Sequence, residues 1–316
     1  MSTAAAGPPP LVSPSPSPTP GAVAAPELTV VVATHDNLEM LRRCLDGWRR
    51  HGGDAVEVIV VEDGCTDGTA DFLAREAETE WGRRSLRWLH AGDVHELVCT
   101  NLGLAAARAP LVLSWHDDMF LRAGWLVPEL VATFRAHPEL GVLALSRGLN
   151  LGPDGGLPGS WDESMEWRRV QSTIGPAPLN WLRLHEVDGV MRPWVVRRAC
   201  VARVGALDEA YRPTEWDEVD LCFRVRAAGW RVATHGYERD GAYVHALSTT
   251  YGRTPSERRQ AAALRNARIF YARWGRAVEE GHGRARRHWR RVATPAGWAA
   301  TLRAIPWNAA RRVLGK

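Results

Sequence analysis

Apolar runs and amphipathic segments alternate along the first half of the chain. The first run, LTVVVATHDN at 28–37, is rich in β-branched residues and stops at polar ones, which predicts a buried strand. The next segment predicts a helix whose apolar face consists of Leu38, Leu41, Leu45 and Trp48. Further apolar runs predict strands at 56–64, 86–91, 111–115 and 141–146, with helical segments between them.

This alternation predicts an α/β fold with a mostly parallel, Rossmann-like sheet and helices on both faces. A loop-rich stretch follows at 149–193, and its tryptophans, Trp161, Trp167 and Trp181, argue against disorder. Regular structure resumes at 195–205. A helix at 218–229 and a strand at 230–237 come next.

Three of the predicted strands end in polar or acidic residues, at 34–36, 62–63 and 116–118. Ligands of such sheets bind at the carboxyl ends of the strands, so we expect a site there. The adjacent carboxylates of Asp117 and Asp118 repel each other, and a divalent cation that also binds phosphate oxygens would neutralise them. A solvated or helix-capping pair of aspartates is the alternative.

A second acidic cluster, EWDEVD at 215–220, begins the predicted helix at 218–229. The helix dipole favours acidic residues in a first turn, which is the simpler interpretation. The cluster is denser than capping requires. A carboxylate facing a cleft is also what an inverting sugar transfer needs, because the acceptor hydroxyl loses its proton as it attacks.

The absence of two nucleotide-binding motifs argues against two classes of enzyme. The chain has no GxxxxGK[ST] loop and no GxGxxG after the first strand, which excludes a P-loop enzyme and disfavours a dinucleotide dehydrogenase. Its five scattered cysteines predict reduced thiols in a cytosolic protein. Apolar runs are too short for a membrane-spanning helix. The Pro/Ser-rich residues 1–26 are expected to be disordered, and they lack the features of a secretory signal.

With these motifs the chain resembles the family 2 glycosyltransferases of GT-A fold over residues 27–250. The segments that carry the resemblance, in the family's order, are VVVATHDN (30–37), VIVVEDGCTDGT (58–69), TNLG (100–103), HDD (116–118), VGALDE (204–209) and DEVDLCFR (217–224). The resemblance implies a nucleotide-binding half at 27–148 and an acceptor-binding half at 149–250. A basic, helical C-terminal extension would then occupy 251–316.

The resemblance also implies a reaction and its residues. The chain would move a sugar, with inversion, from a nucleoside diphosphate donor to a hydroxyl acceptor. The donor would be bound by Ala33, His35, Glu62, Asp63, Asn101 and Asp117. A Mg²⁺ or Mn²⁺ ion would be held by His116, Asp118 and His245. Glu218 would be the catalytic base, with Asp217 as the alternative because the order of these two acids is reversed relative to the family.

Departures from the family pattern keep other functions open. His116 replaces the usual first acid of the metal-binding motif, and His35 replaces a tyrosine. A sugar-phosphate nucleotidyltransferase would share the sheet and the metal-binding acids, but it would usually have a glycine-rich loop after the first strand. A catalytically silent module that binds a nucleotide sugar or a glycan is the second alternative.

Charge is distributed unevenly along the chain. From Gly252 onward there are 16 basic and three acidic residues, a net charge of +13, and the rest of the chain carries −9. Residues 256–278 predict an amphipathic helix. Residues 284–307 alternate arginine clusters with Trp289, Trp298 and Trp307, a composition typical of an interfacial helix on anionic lipid.

The resemblance adds a partner for this tail, because many relatives act on lipid-linked acceptors. We therefore expect a cytoplasmic protein whose tail makes a peripheral contact with the inner face of a membrane. Packing of the basic tail against the acidic body is the alternative. Nucleic acid would also suit basic and aromatic residues, but nothing else in the sequence supports it.

Overall fold

A nine-stranded sheet with helices on both faces organises the chain. The structure, a computed structural model, describes residues 25–146, 148–151, 171–172, 183–246, 256–281 and 284–305. Its strands are β1 (Leu28–Thr34), β2 (Val56–Asp63), β3 (Leu86–Ala91), β4 (Leu111–His116), β5 (Met119–Leu121), β6 (Leu140–Ala144), β7 (Gly148–Asn150), β8 (Gln171–Ser172), β9 (Arg183–Glu186), β10 (Gly189–Val190), β11 (Trp194–Arg197), β12 (Arg231–Thr234), β13 (Tyr243–His245) and β14 (His288–Arg290). Its helices are α1 (Leu38–His51), α2 (Thr69–Ala77), α3 (Glu80–Ser85), α4 (Glu96–Ala106), α5 (Leu126–Ala136), α6 (Arg198–Val204), α7 (Asp217–Ala227), α8 (Ser256–Gly281) and α9 (Pro295–Ala304).

The strand order of the main sheet is β14-β9-β12-β6-β11-β4-β1-β2-β3. Strands β3, β2, β1 and β4 are parallel neighbours, and β12 is parallel to β6. Strands β9 and β11 run the opposite way. The predicted α/β fold with a mostly parallel sheet is confirmed. The five predicted strands correspond to β1, β2, β3, β4 and β6, each within a few residues of its predicted position.

Apolar side chains on both faces of the sheet explain the layers. Every residue of β2 is buried, as expected of a strand covered on two sides. On one face Trp48 of α1 contacts Trp115 of β4 at 5.2 Å between ring centroids. On the other face Phe223 of α7 contacts Phe270 of α8 at 5.0 Å. These rings close the core above and below the strands.

Two segments differ from the sequence expectation. The Ala-rich run at 100–108 predicts a helix there, but α4 begins four residues earlier, at Glu96. Its N-cap residue, His95, makes no side-chain cap hydrogen bond, so no capping motif marks this start. Residues 195–205 contain both the antiparallel strand β11 and the helix α6. Gly205, with a φ of +84°, follows that helix in a conformation that favours glycine.

The C-terminal part is mainly helical and also supplies β14, which pairs with β9 at the edge of the main sheet. After this strand Arg291 is 1% exposed and lies between two buried acids. Its guanidinium donates to Glu129 at 2.8 Å and to Asp240 at 2.5 Å. Gly297 follows closely, and a Cβ there would lie 1.6 Å from a Glu129 oxygen.

These contacts show that some basic residues of the C-terminal segment pack against the rest of the protein. Arg286 pairs with Asp188 at 2.6 Å and Arg291 pairs with Glu129, so both arginines are used inside the molecule. Part of the basic tail therefore packs against acids of the body, as the alternative interpretation expected. Most of the segment 1–26, the tryptophans at 161, 167 and 181, and Trp307 lie outside the described residues. No helix among the described residues has the length and apolarity needed to cross a bilayer.

We expect Arg291→Met to lower the free energy of unfolding by about 3–5 kcal/mol, because it leaves Glu129 and Asp240 as buried, uncompensated acids. Urea unfolding monitored by tryptophan fluorescence would measure the loss. Arg303→Met removes an exposed arginine from α9 and should change stability by less than about 0.5 kcal/mol. Equal stability of wild type and Arg291→Met would contradict the buried network.

Candidate active site

The polar strand ends predicted from the sequence meet at one edge of the sheet. Ala33, near the end of β1, lies beside Val61 of β2 on one side and His116 of β4 on the other. Thr34 donates its hydroxyl to Asp117 Oδ2 at 2.8 Å, which ties the end of β1 to the turn after β4. Burial, together with the neighbouring carboxylate of Asp118, raises the pKa of Asp117 to about 6.

Asp63 shapes the loop that faces this edge. Its two oxygens accept the backbone N–H groups of Val94 and His95 at 2.7 and 2.9 Å. Its carbonyl lies 2.7 Å from Nδ1 of His35, and this contact raises the pKa of His35. The exposed imidazole is thereby held over the end of β2. His35 and Asp63 are thus neighbours, in contact through the carbonyl of Asp63.

Two other predicted donor-binding residues contact the protein itself. The fully buried carboxylate of Glu62 accepts the backbone N–H of Cys65 and lies 2.5 Å from Nδ1 of His90. The amide of Asn101 donates to the carbonyl of Leu207 at 2.8 Å and accepts its N–H at 2.9 Å. In this structure Glu62 therefore fixes the turn after β2, and Asn101 joins α4 to the segment before α7.

His116, Asp118 and His245 form a compact cluster whose ligand atoms all lie within 4.8 Å of one another. Strand β13 pairs with β5 and places His245 opposite Met119, next to the turn that carries Asp118. Asp118 Oδ2 lies 3.4 Å from Nε2 of His245, and its Oδ1 lies 3.9 Å from Nδ1 of His116. One carboxylate and two imidazoles are a set of ligand atoms that could hold a divalent cation.

The second cluster lies at the first turn of α7. Asp217 is 1% exposed, and burial together with the charge of Glu218 raises its pKa to about 7. The side chain of Glu218 is 17% exposed. Its Oε1 accepts the indole N–H of Trp194 at 2.9 Å and lies 2.8 Å from Nε of Arg192. Glu218 is therefore the more accessible of the two acids.

Arg192 connects the two clusters. Its side chain is 5% exposed and pairs with Glu96 as well as Glu218. Glu96 Oε1 in turn lies 3.1 Å from Nε2 of His116. Sequence reasoning missed Glu96, Arg192 and Trp194. No sequence motif identifies a lone glutamate, arginine or tryptophan as a site residue. Arg192 lies near the end of the loop-rich stretch 149–193, and Trp194 directly follows that stretch.

The family model for "Glycosyl transferase family 2" matches residues 29–191, which is more than half of the chain. The chain belongs to this family. A curated relative, the uncharacterized protein y4gI of Sinorhizobium fredii, is 24% identical over 229 residues. That alignment covers 65% of this chain and 23% of y4gI, so the chain spans about a quarter of that relative's length.

Solved structures of glycosyltransferases share the fold. S. aureus TarS 1-349 in complex with UDP is 13% identical, with a TM-score of 0.51, over 78% of this chain and 72% of that chain. GalNAc-T7 with UDP, GalNAc and Mn²⁺ is 14% identical, with a TM-score of 0.53, over 67% of this chain and 42% of that chain. The central sheet of this family 2 protein is therefore of GT-A type.

The turn before α7 lies beyond the family match and is strained. Glu215 and Trp216 have φ values of +80° and +70°, a conformation that is uncommon for residues other than glycine. Asn266 of α8, fully buried, donates its amide to the carbonyls of Tyr211, Thr214 and Glu215 at 2.6, 2.8 and 3.0 Å. This side chain holds the turn that presents the two acids.

We expect Asn266→Ala to lower the free energy of unfolding by about 3 kcal/mol, because three carbonyls at the strained turn lose their donor. Thermal or chemical unfolding would measure the change. Arg276→Ala, on the exposed side of the same helix, is the matched control and should have almost no effect. If both variants lose the same stability, Asn266 does not hold the turn.

Proposed function

We propose that this family 2 protein is an inverting glycosyltransferase that uses a nucleoside diphosphate sugar, a hydroxyl acceptor and a divalent metal. The observation that carries the proposal is the position of the two clusters. The histidine–aspartate cluster follows β4, the acidic pair begins α7, and Glu96 and Arg192 connect them. A site that stabilises a leaving diphosphate on one side and removes a proton on the other needs this arrangement.

The donor would lie along the edge formed by β1, β2 and β4. His35 and Asp63 would contact its base, and Asp117 would lie near its ribose or metal. TarS was solved with UDP, and GalNAc-T7 with UDP and Mn²⁺, which supports a nucleoside diphosphate donor and makes UDP the first to test. We also propose that residues 27–148 bind the nucleotide, that 149–250 bind the acceptor, and that 251–316 extend this unit.

The metal would be held by His116, Asp118 and His245. When bound it supplies positive charge that stabilises the leaving diphosphate. The two histidines favour Mn²⁺ over Mg²⁺. The remaining chemistry belongs to side chains of the protein.

Glu218 is the base in this proposal. The acceptor oxygen attacks the anomeric carbon from the face opposite the diphosphate, its proton passes to Glu218, and the bond from carbon to diphosphate oxygen breaks. Trp194 and Arg192 both contact Oε1, so we assign Oε2 as the proton acceptor. Asp217 is the weaker candidate because it is 1% exposed, which keeps an acceptor hydroxyl from reaching its carboxylate.

We expect Asp118→Ala to abolish the part of UDP binding that depends on Mn²⁺, because the carboxylate between the two histidines is lost. Thermal-shift titrations with UDP, with and without Mn²⁺, would measure it, since a ligand of the native state raises its stability. Asp46→Ala, which removes an exposed carboxylate of α1, should bind like the wild type. Unchanged Mn²⁺-dependent binding by Asp118→Ala would refute the metal site.

We expect Glu218→Gln to lower kcat by about 10²–10⁴-fold with little change in KM for the donor, as for the loss of a general base. Initial rates of nucleoside diphosphate release with an accepted sugar donor would show it. Asp217→Asn should have a smaller effect on kcat. If Asp217→Asn is the more damaging, the two acids exchange roles, and if neither variant changes the rate, neither acid is the base. A wild type that binds the donor but releases no nucleoside diphosphate would instead indicate a binding module.

A further inference from the structure

Strands β9 and β14 form the edge of the main sheet farthest from β3. Their antiparallel register places Arg183 directly opposite Arg290 and His185 directly opposite His288. Residues opposite each other point to the same face, so these two pairs share one side of the sheet edge. The rings of the histidine pair lie 4.7 Å apart. One face of this short ribbon therefore carries two arginines and two histidines.

Two arginines directly opposite each other on neighbouring strands repel. Both are exposed, and neither forms an ion pair with an acid in the described ranges. In contrast, Arg286 and Arg291 of the same segment each pair with an acid of the body. Arg286 and Arg291 are thus neutralised within the molecule, whereas Arg183 and Arg290 face solvent.

The backbone under the two arginines is fixed. The carbonyl of Arg183 lies 3.0 Å from Nδ1 of His235, and the carbonyl of Arg290 lies 3.0 Å from Nε2 of His137. Trp289, between the exposed residues of β14, is 9% exposed and donates its indole N–H to Glu139 at 2.6 Å. The two charges are therefore presented from a rigid ribbon.

A cavity of about 460 Å³ opens at this ribbon, and we name it the edge cavity. Its lining consists of Arg183, His288, Trp289, Arg290 and Trp298. Its volume falls within the range of small-molecule sites, about 300–1,000 Å³, and exceeds what a bare inorganic ion fills. The lining combines positive charge with tryptophan rings.

We propose that the edge cavity binds a phosphate-bearing ligand. The two guanidinium groups would bind the phosphate oxygens, since arginine forms paired hydrogen bonds with phosphate. Trp298, which is partly exposed, would contact the body attached to the phosphate, a sugar ring or a glycerol unit. The bound anion would also relieve the repulsion between Arg183 and Arg290.

This site lies apart from the candidate active site. Five strand spacings separate β14 from β4 in the sheet order, which corresponds to about 24 Å. The proposal goes beyond sugar transfer and does not depend on it. A phosphate at this edge comes from one of two sources, a soluble phosphorylated compound or the headgroup of a phospholipid.

The first experiment measures thermal unfolding in inorganic phosphate and in chloride at equal ionic strength, without divalent metal. Phosphate should stabilise the wild type more than chloride does. The double variant Arg183→Gln/Arg290→Gln should bind phosphate at least about tenfold more weakly, because charge-assisted hydrogen bonds are lost. Without phosphate it should be at least as stable as the wild type. Arg303→Gln, at an exposed arginine outside the cavity, is the matched control.

A second readout shows that the double variant is folded and that its defect is local. Its stabilisation by UDP with Mn²⁺ should equal that of the wild type, whereas Asp118→Ala should keep the phosphate response and lose the Mn²⁺-dependent one. Phosphate binding at the edge cavity and Mn²⁺-dependent binding of UDP can therefore be lost separately. Equal stabilisation of the wild type by phosphate and chloride, or an unchanged phosphate response in the double variant, would overturn the proposal.

Vesicle sedimentation distinguishes the two sources of phosphate. Binding to phosphatidylglycerol vesicles but not to phosphatidylcholine vesicles, lost in the double variant, would identify the lipid headgroup. A phosphate response without vesicle binding would identify a soluble phosphorylated ligand. Both results support the edge cavity as a phosphate site.

Discussion

The guanidinium of Arg192 is the contact on which the arrangement of the candidate active site depends. Three carboxylates, from Glu96, Asp217 and Glu218, lie around it, and the side chain is 5% exposed. Without a cation the three acids would repel one another in a poorly solvated place. Arg192 thus allows the acids of α4 and α7 to lie side by side.

The first turn of α7 is also held from the opposite side. Asn266 bonds the strained backbone before the helix, and Trp216 packs on Phe270 with ring centroids 5.0 Å apart. Both partners lie on α8, beyond the region that the family model matches. A positive φ at two successive residues persists only where the surroundings impose it, and α8 supplies those surroundings. The C-terminal part therefore contributes to the geometry of the acids.

Charge along the chain explains how this C-terminal part docks. The segment from Gly252 onward is strongly basic and the rest of the chain is acidic. Arg286 and Arg291 reach Asp188, Glu129 and Asp240, all of them buried acids that would be costly without a cation. The uneven charge of the sequence is thus partly compensated within the molecule. Arginines that remain exposed, such as the pair at the edge cavity, are available to other anions.

The sequence by itself determined the α/β layers and the polar strand ends, because both are local. Apolar runs such as 56–63 form strands wherever two faces are covered, and acids after β4 must lie at the edge of a parallel sheet. Family motifs singled out Asp118 and Glu218 as candidates for the same reason, since each motif is a short run. The strand at 288–290 was not predicted, because a three-residue strand carries too little pattern to differ from a helix.

Only the tertiary structure decided which of these residues meet. Glu96 in α4, Arg192 just before β11 and Glu218 in α7 are far apart in the chain, and only the packing of these distant segments brings them into contact. The same holds for His245, which the pairing of β13 with β5 brings to Asp118, and for Asn101, whose amide is occupied by Leu207. Such contacts depend on how distant elements pack. Local patterns of apolar and polar residues determine those elements but not the side chains that packing brings together.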